Sequence, residues 1–349
     1  MTVSKHCRQR GLTLIELMIS VALSLVILSA MSYIYVSSRG VYRSNEAMAR
    51  AQETGRFALE WLARDIRNAG NFGCISYNTP QIIANPPNGI GGQIQAVFGY
   101  ENGKDTSNAA WPNPSTITYV RGDVLIISGM LGNAANVTDN VPGNANVKVD
   151  QNCMGLQQDD LAIACNFKQA TLFRVTNNVQ QNCNLNSSPG YDVTAANNAN
   201  TSNFKMPYTK DDRAILFKLG VLAYFIGQNP AGNPALYRVN AASTTLPIPT
   251  EEVAENIEDM NLLFGEDTNA DGQADVYSNA NSVVNWANVV SVRVAVVARS
   301  ADTSAVQQSQ TYYFQPSASA GVYSIAPTPT DRRLRQVFTT TVALRNRLP

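Results

Sequence analysis

Histidine is almost missing from this chain. The only one is His6, within the first eleven residues. If that segment is removed, no histidine remains. Ser–His and Cys–His catalysis and histidine-ligated metal are then excluded. Charge is scarce too: 15 % of residues are Asp, Glu, Lys or Arg, against the usual quarter. Asn, Ala, Ser and Thr take their place, which suits an exported, loop-rich surface. The 26 basic and 26 acidic residues balance, so no electrostatic nucleic-acid footprint is expected. The acidic residues form no recognisable catalytic pair, and no enzymatic activity is expected. Close cysteine pairs are also absent. Cys7 lies in the leading segment, while Cys74, Cys153, Cys165 and Cys183 are widely spaced with no CxxC. That spacing disfavours zinc and favours two disulfides in an oxidising compartment, with three pairings open.

What the sequence does have begins at its N-terminus. Residues 1–11 carry Lys5, Arg8 and Arg10 and no acid. Residues 17–36 carry no charge, and about 20 apolar residues span a bilayer as a helix. The basic flank predicts a cytoplasmic N-terminus, with everything after Val36 outside. A secretory signal peptide has a shorter core and a small-residue cleavage site, which this run lacks. Glu16 interrupts the apolar run. A buried carboxylate costs several kcal/mol unless paired, and none of the next twenty residues is a cation. A cut between Gly11 and Leu12 would supply one. The new α-amine lies four residues before Glu16, a neighbour on a helix, and the amine of an adjacent subunit could serve equally.

A basic leader, then Gly11, Leu12 and TLIELMISVALSLVIL resemble the type IV prepilin signature over residues 10–28. The resemblance implies cleavage after Gly11 by a membrane prepilin peptidase, N-methylation of Leu12, and a docking role for Glu16. Leu12 departs from the commoner phenylalanine. Losing residues 1–11 tips the balanced chain three charges to the acidic side, which argues against a DNA receptor.

Beyond residue 36 the helical pattern becomes amphipathic. Ala47, Ala51, Ala58, Leu62, Ile66 and Ala69 recur near the helical period, with Phe57 and Trp61 beside them as expected core. Glu46/Arg50 and Glu60/Arg64 are i, i+4 pairs, acid first. Gly70 and Gly73 end the pattern. The expected division is a leader (1–11), a transmembrane half (12–36), an amphipathic half (37–69) and a β-rich periplasmic body (70–349). Residues 78–114, 132–152 and 185–203 are rich in Asn, Gly or Pro and read as surface loops. Strands are expected at 117–120, 123–128, 161–165, 172–175, 214–226, 235–239, 289–299, 312–314 and 336–345. QNPAGNP reads as the turn of a hairpin. The fold class is α+β, a long helix packed on an antiparallel sheet with long loop insertions.

In the body, ARDIRNAGNFGC, ENIEDMNLLFGEDTNADGQAD and RQVFTTTVALRNR resemble a minor-pilin subfamily. The resemblance implies a single-pass inner-membrane protein that enters an extracellular type IV pilus. Its implied partners are other minor pilins, the major pilin, a tip adhesin-like protein and the inner-membrane assembly platform. A type II secretion pseudopilin shares the N-terminus and is the alternative. A third reading is a calcium-dependent, adhesin-like module on a pilin anchor. It rests on Asp267, Asn269, Asp271 and Gly272, the start of an EF-hand-type loop, with the Gln273 carbonyl and Asp275 next. Ser278 stands where a bidentate Glu is expected, and a plain polar turn explains the same residues. The cluster Arg332, Arg333 and Arg335 reads as a solvated loop.

Overall fold

The computed structural model describes residues 13–73, 80–82, 95–104, 107, 113, 115–139, 146–150, 156–158, 160–166, 170–175, 191–194, 213–240, 248, 250–310, 312–314, 324–325 and 330–347. Its spine is a 55-residue helix, α1, Leu14–Asn68, about 80 Å long at 1.5 Å per residue. No proline interrupts it. Gly70 and Gly73, both at φ +74°, take a conformation that favours glycine and stop it.

The helix divides sharply by burial. Every described residue before Ala47 lies wholly or partly in solvent. From there Ala47, Ala51, Gly55, Ala58, Leu62, Ala63 and Ile66 turn inward on one face. The first four are small, so the backbone comes close to the sheet. A Cβ on Gly55 would sit 2.3 Å from the Phe338 ring. Leu62 and Ile66 are fully buried, each contributing about 1.5–3 kcal/mol of apolar transfer.

The strands are β1 (Pro80–Ile82), β2 (Val97–Tyr100), β3 (Tyr119–Asp139), β4 (Asn146–Val149), β5 (Leu161–Cys165), β6 (Ala170–Arg174), β7 (Tyr191–Thr194) and β8 (Ile215–Gln228), then β9 (Pro234–Asn240), β10 (Thr250–Glu255), β11 (Ile257–Glu266), β12 (Val276–Ser278), β13 (Val289–Arg299), β14 (Tyr312–Tyr313), β15 (Ser324–Ile325) and β16 (Arg335–Ala343). The large sheet runs β1-β6-β5-β8-β3-β4-β7, with β2 also on β3 and β9–β10 continuing from β8. A smaller sheet runs β12-β11-β13-β16. Every described pairing is antiparallel except β1 with β6. Thus the class is α+β, as expected.

Strand β8 organises the large sheet. Its first residues pair with β5 and its last with β9, while β3 runs along the other edge. The β8–β9 hairpin turns at QNPAGNP, as expected, with Gly232 at φ +82°. Both faces of the sheet are covered. On β3, Leu125 and Ile127 point to the core shared with α1, and Val124 and Ile126 to a second core, the period-two alternation of a strand. Helix α1 lies across β13 and β16, so one core joins the helix to both sheets.

Three expectations about loops are corrected. Residues 78–114 contain β1 and β2, 132–152 contain the end of β3 and β4, and 185–203 contain β7. In β3 the register shifts near Gly122 (φ +80°) and Gly132 (φ +73°). Such bulges carry one long strand through a glycine-broken pattern that reads as loop.

Candidate functional site

The start of α1 bears on Glu16. Thr13 is the N-cap, and its side chain accepts the Glu16 N–H at 3.4 Å. In return the Glu16 carboxylate accepts from the Thr13 N–H and hydroxyl, each at 3.0 Å. This capping box satisfies helix-end groups reciprocally. It also gives the carboxylate donors before any cation is considered. The signal, T-x-x-E, was available in the sequence, and a search for a positive partner overlooks it. Gly11 and Leu12 lie outside the described residues.

Around and beyond Glu16 the large apolar side chains from Leu14 to Val36, Ile15, Leu17, Met18, Ile19 and Leu23 among them, are more than half exposed. An 18-residue window of this helix reaches a mean hydropathy of 2.4 with none of it buried. It is long and apolar enough to cross a membrane. At its outer end stand Tyr33, Tyr35 and Tyr42, all exposed, and the Arg39 guanidinium lies 4.8 Å from the Tyr35 ring centre. Tyrosine and arginine in this order suit a membrane–water boundary.

Where the helix meets the body, an open groove of about 770 Å³ is lined by Arg43, Ala47, Arg50, Phe57, Asn256 and Arg299, among others. Phe57 is 46 % exposed, which corrects its reading as core. Glu46 and Arg50 pair at 2.7 Å, as expected. Arg64 instead approaches Asp65 at 3.2 Å and covers the Trp61 ring at 4.4 Å. Among the described residues no ion pair joins it to Glu60.

Charged groups clamp the helix to the sheets. Asp65 accepts from the Tyr224 hydroxyl on β8 and from Arg238 Nη1 on β9 at 3.3 Å. Arg238 continues to Glu251 on β10. On the far side Arg335 opens β16 fully buried. Its Nε donates to Glu258 at 2.6 Å, Nη2 to Glu258 at 3.2 Å, and Nη2 also to Asp331. This corrects the solvated-loop reading of the arginine cluster: Arg335 is core and Arg333 is half-buried on Asp331, while Arg332 is exposed. Asp123 and Asp259, on β3 and β11, are buried carboxylates that sequence inspection missed. Burial pushes both up to about 7, against N–H bonds from Asn102 and Leu262 to Asp123, and against Arg121 and the Met260 N–H at Asp259.

The acidic loop joins β11 to β12. Asp267 accepts the Ala270 N–H at 2.7 Å and the Gly272 N–H at 2.8 Å. Asp275 accepts the Thr268 N–H and hydroxyl at 2.8 and 2.7 Å, bonds that hold its carboxyl below the ordinary carboxylate range. Asn269 Nδ2 lies 3.3 Å from both Asp271 and Asp275. Among the described residues no group of three or more His, Cys, Asp or Glu side chains could hold a metal ion. A cation here would therefore need Asn269 and main-chain carbonyls such as that of Gln273. Of the four body cysteines only Cys165 is described. It is buried and disulfide-bonded; Cys74, Cys153 and Cys183 lie outside the described residues.

An extended apolar helix whose second half packs on an antiparallel sheet is the architecture of a pilin-like subunit. Comparison with known families agrees. Residues 6–32 match the prokaryotic N-terminal methylation motif, and residues 223–346 match the family model of the type IV pilus-assembly protein W, PilW. The chain is thus similar to type IV prepilins at its N-terminus and to the PilW pilus-assembly family over the second part of its body. The second match runs from β8 through β16, taking in the whole small sheet on which α1 rests. No curated protein matches the chain.

Proposed function

We propose that this protein is a minor pilin of the type IV pilus. A prepilin peptidase cuts it between Gly11 and Leu12 and the Leu12 amine is methylated. The inner membrane then holds residues 12–36, with the body in the periplasm. The subunit next leaves lipid for the filament, where it primes assembly near the tip, and the apolar half of α1 exchanges lipid for the helices of major and minor pilins. Glu16 docks by charge against an amine, its own or a neighbour's. The observation that carries this reading is the division of α1 at Ala47. Each large apolar side chain before it forgoes about 1.5–3 kcal/mol of burial within the protomer, so lipid or other subunits must supply it. The PilW match favours a pilus over a secretion pseudopilus.

The test is processing followed by assembly. Gly11→Val is expected to leave all of the protein at precursor size on an immunoblot, and deletion of the gene to reduce surface pili sharply. Normal processing of the variant would refute the prepilin reading, and a fully piliated deletion strain would refute the minor-pilin role.

A second reading concerns the acidic loop. The sharp turn at Gly272, at φ +82° with its N–H on Asp267 Oδ2, supports calcium as the bend of an EF-hand-type loop, with Asp267, Asn269, Asp271, Asp275 and the Gln273 carbonyl as the oxygen set. Without a bidentate Glu the dissociation constant is expected on the order of 0.1–1 mM. Calorimetric titration of the purified protein with Ca²⁺ should give saturable heat, abolished by Asp267→Ala with Asp271→Ala. No heat from the unmutated protein at millimolar Ca²⁺ ends this reading.

A further inference from the structure

The turn after β12 combines a fixed backbone with an exposed apolar tip. Glu266 is only 5 % exposed. Its carboxylate accepts the Val284 N–H at 3.1 and 3.2 Å and the Asn285 N–H at 2.9 Å. The Asn285 side chain in turn accepts the Ala287 N–H at 2.9 Å. Ala280, Val283 and Trp286 pack inward on the main core, Trp286 against the Phe98 and Phe264 rings. A buried charge is thus spent on the shape of one turn. That turn presents Val284, 92 % exposed, and Val276, 50 % exposed, pairs with the same Glu266 across β11 and β12. A single exposed valine is ordinary. One held rigidly by a buried carboxylate is pre-organised, and pre-organisation lowers the entropic cost of binding.

The surroundings give the charge of a partner. The acidic loop leaves from the same place: the Asp267 N–H donates to the Asn288 carbonyl, and the Asp275 N–H to the Glu266 carbonyl, both at 2.9 Å. Asp271 and Asp275 are exposed. The nearby cation, Arg293, is held over the Tyr277 ring at 4.3 Å. The position is also fixed along the molecule. Asn346 Nδ2 donates to the Ala69 carbonyl at the end of α1, and the Leu344 N–H to the Val290 carbonyl. The turn therefore lies toward the C-terminal end of α1 rather than its apolar half.

We infer that Val284 and Val276, rimmed by Asp271 and Asp275, form a docking surface for a protein partner with an apolar pocket flanked by lysine or arginine. A central apolar anchor with charged surroundings is the usual division of labour at an interface. The inference rests on the pilus reading for its biological setting and for the piliation arm of its test, but not for the crosslinking arm. A photo-crosslinking amino acid at position 284 of the full chain, in living cells, should give one discrete adduct identifiable by mass spectrometry. Position 339, exposed on β16, should not give it. In calcium-depleted medium, so that loss of a bound cation is not what is read, Asp271→Asn with Asp275→Asn should reduce the adduct about fivefold. Val284→Asp should lower pilus counts to the deletion level without moving the melting temperature of the purified protein. No adduct at 284, or an adduct indifferent to the two neutralised aspartates, overturns the docking surface. Normal piliation by Val284→Asp in a strain whose deletion lacks pili does the same and leaves the pilin reading standing. If the deletion strain is fully piliated, the pilin reading falls and the crosslink alone decides.

Discussion

Arg335→Ala is expected to destabilise the body by about 3–5 kcal/mol, the usual cost of removing one partner from a buried pair. The Arg335 side chain is 1 % exposed, and its partners Glu258 and Asp331 are 11 % and 17 % exposed. Burial pulls the guanidinium down, but the bonds from Glu258 and Asp331 outweigh it and hold it above its ordinary value. Removing it leaves two carboxylates facing each other with little water, at the corner where β16 and β11 flank β13. The urea midpoint of the purified protein in detergent should fall accordingly. Arg335→Lys keeps a charge but loses the two-nitrogen grip on Glu258, so its midpoint should lie between the two. A wild-type midpoint for Arg335→Ala would show that this pair does not hold the small sheet closed. The loss should also be visible in function, because α1 lies on β16 and a loosened strand releases the helix from its body.

The same residues explain which elements were hard to read. Strand β13, VVSVRVAVVAR, announces itself through dense valine, and the β8–β9 hairpin through apolar runs around a turn-rich connection. Strand β11, IEDMNLLFGE, is the central partner of β13 yet was not among the expected strands. Its carboxylates suggest a surface segment. Each is satisfied by a group distant in sequence: Glu258 by Arg335, Asp259 by the Tyr312 hydroxyl beside its own Met260 N–H, and Glu266 by the 284–285 turn. Single-sequence reasoning prices a buried carboxylate as improbable because the compensating donor is not in the window. The long β3 was hidden differently. Glycines at positive φ break its alternation while the hydrogen-bonded ladder with β8 resumes beyond each bulge. The helix was legible nearly in full, since its period, its missing prolines and its flanking glycines are local. At its N-terminus the sequence was legible but one-sided: Glu16 draws attention as a charge in an apolar run, and Thr13 three residues earlier shows that it is also a cap.

Gly122→Ala is expected to be the costliest of the glycine substitutions in the body, and comparison with Gly232→Ala separates its causes. Both glycines have nearly the same positive φ, +80° and +82°. An alanine in that region costs about 1–2 kcal/mol. Around Gly232 a new Cβ meets only the Gln228 Nε2 at 3.8 Å, so no further penalty is expected. Around Gly122 it would stand 2.6 Å from Asp259 Oδ1, 2.7 Å from the Met260 carbonyl oxygen and 2.9 Å from the Met260 nitrogen. Two of these are backbone atoms of β11 and cannot rotate away, and the third is a carboxylate with little water to retreat into. Overpacking of this kind adds about 1–3 kcal/mol, for a total of about 2–5 kcal/mol. The contact is the seam between the two sheets, so the strain should appear as separation of β3 from β11. Amide exchange of Met260 and Leu262 should then quicken in Gly122→Ala and stay unchanged in Gly232→Ala. Equal melting temperatures for the two variants would show that backbone conformation alone sets the cost, and that the sheets have room at their seam.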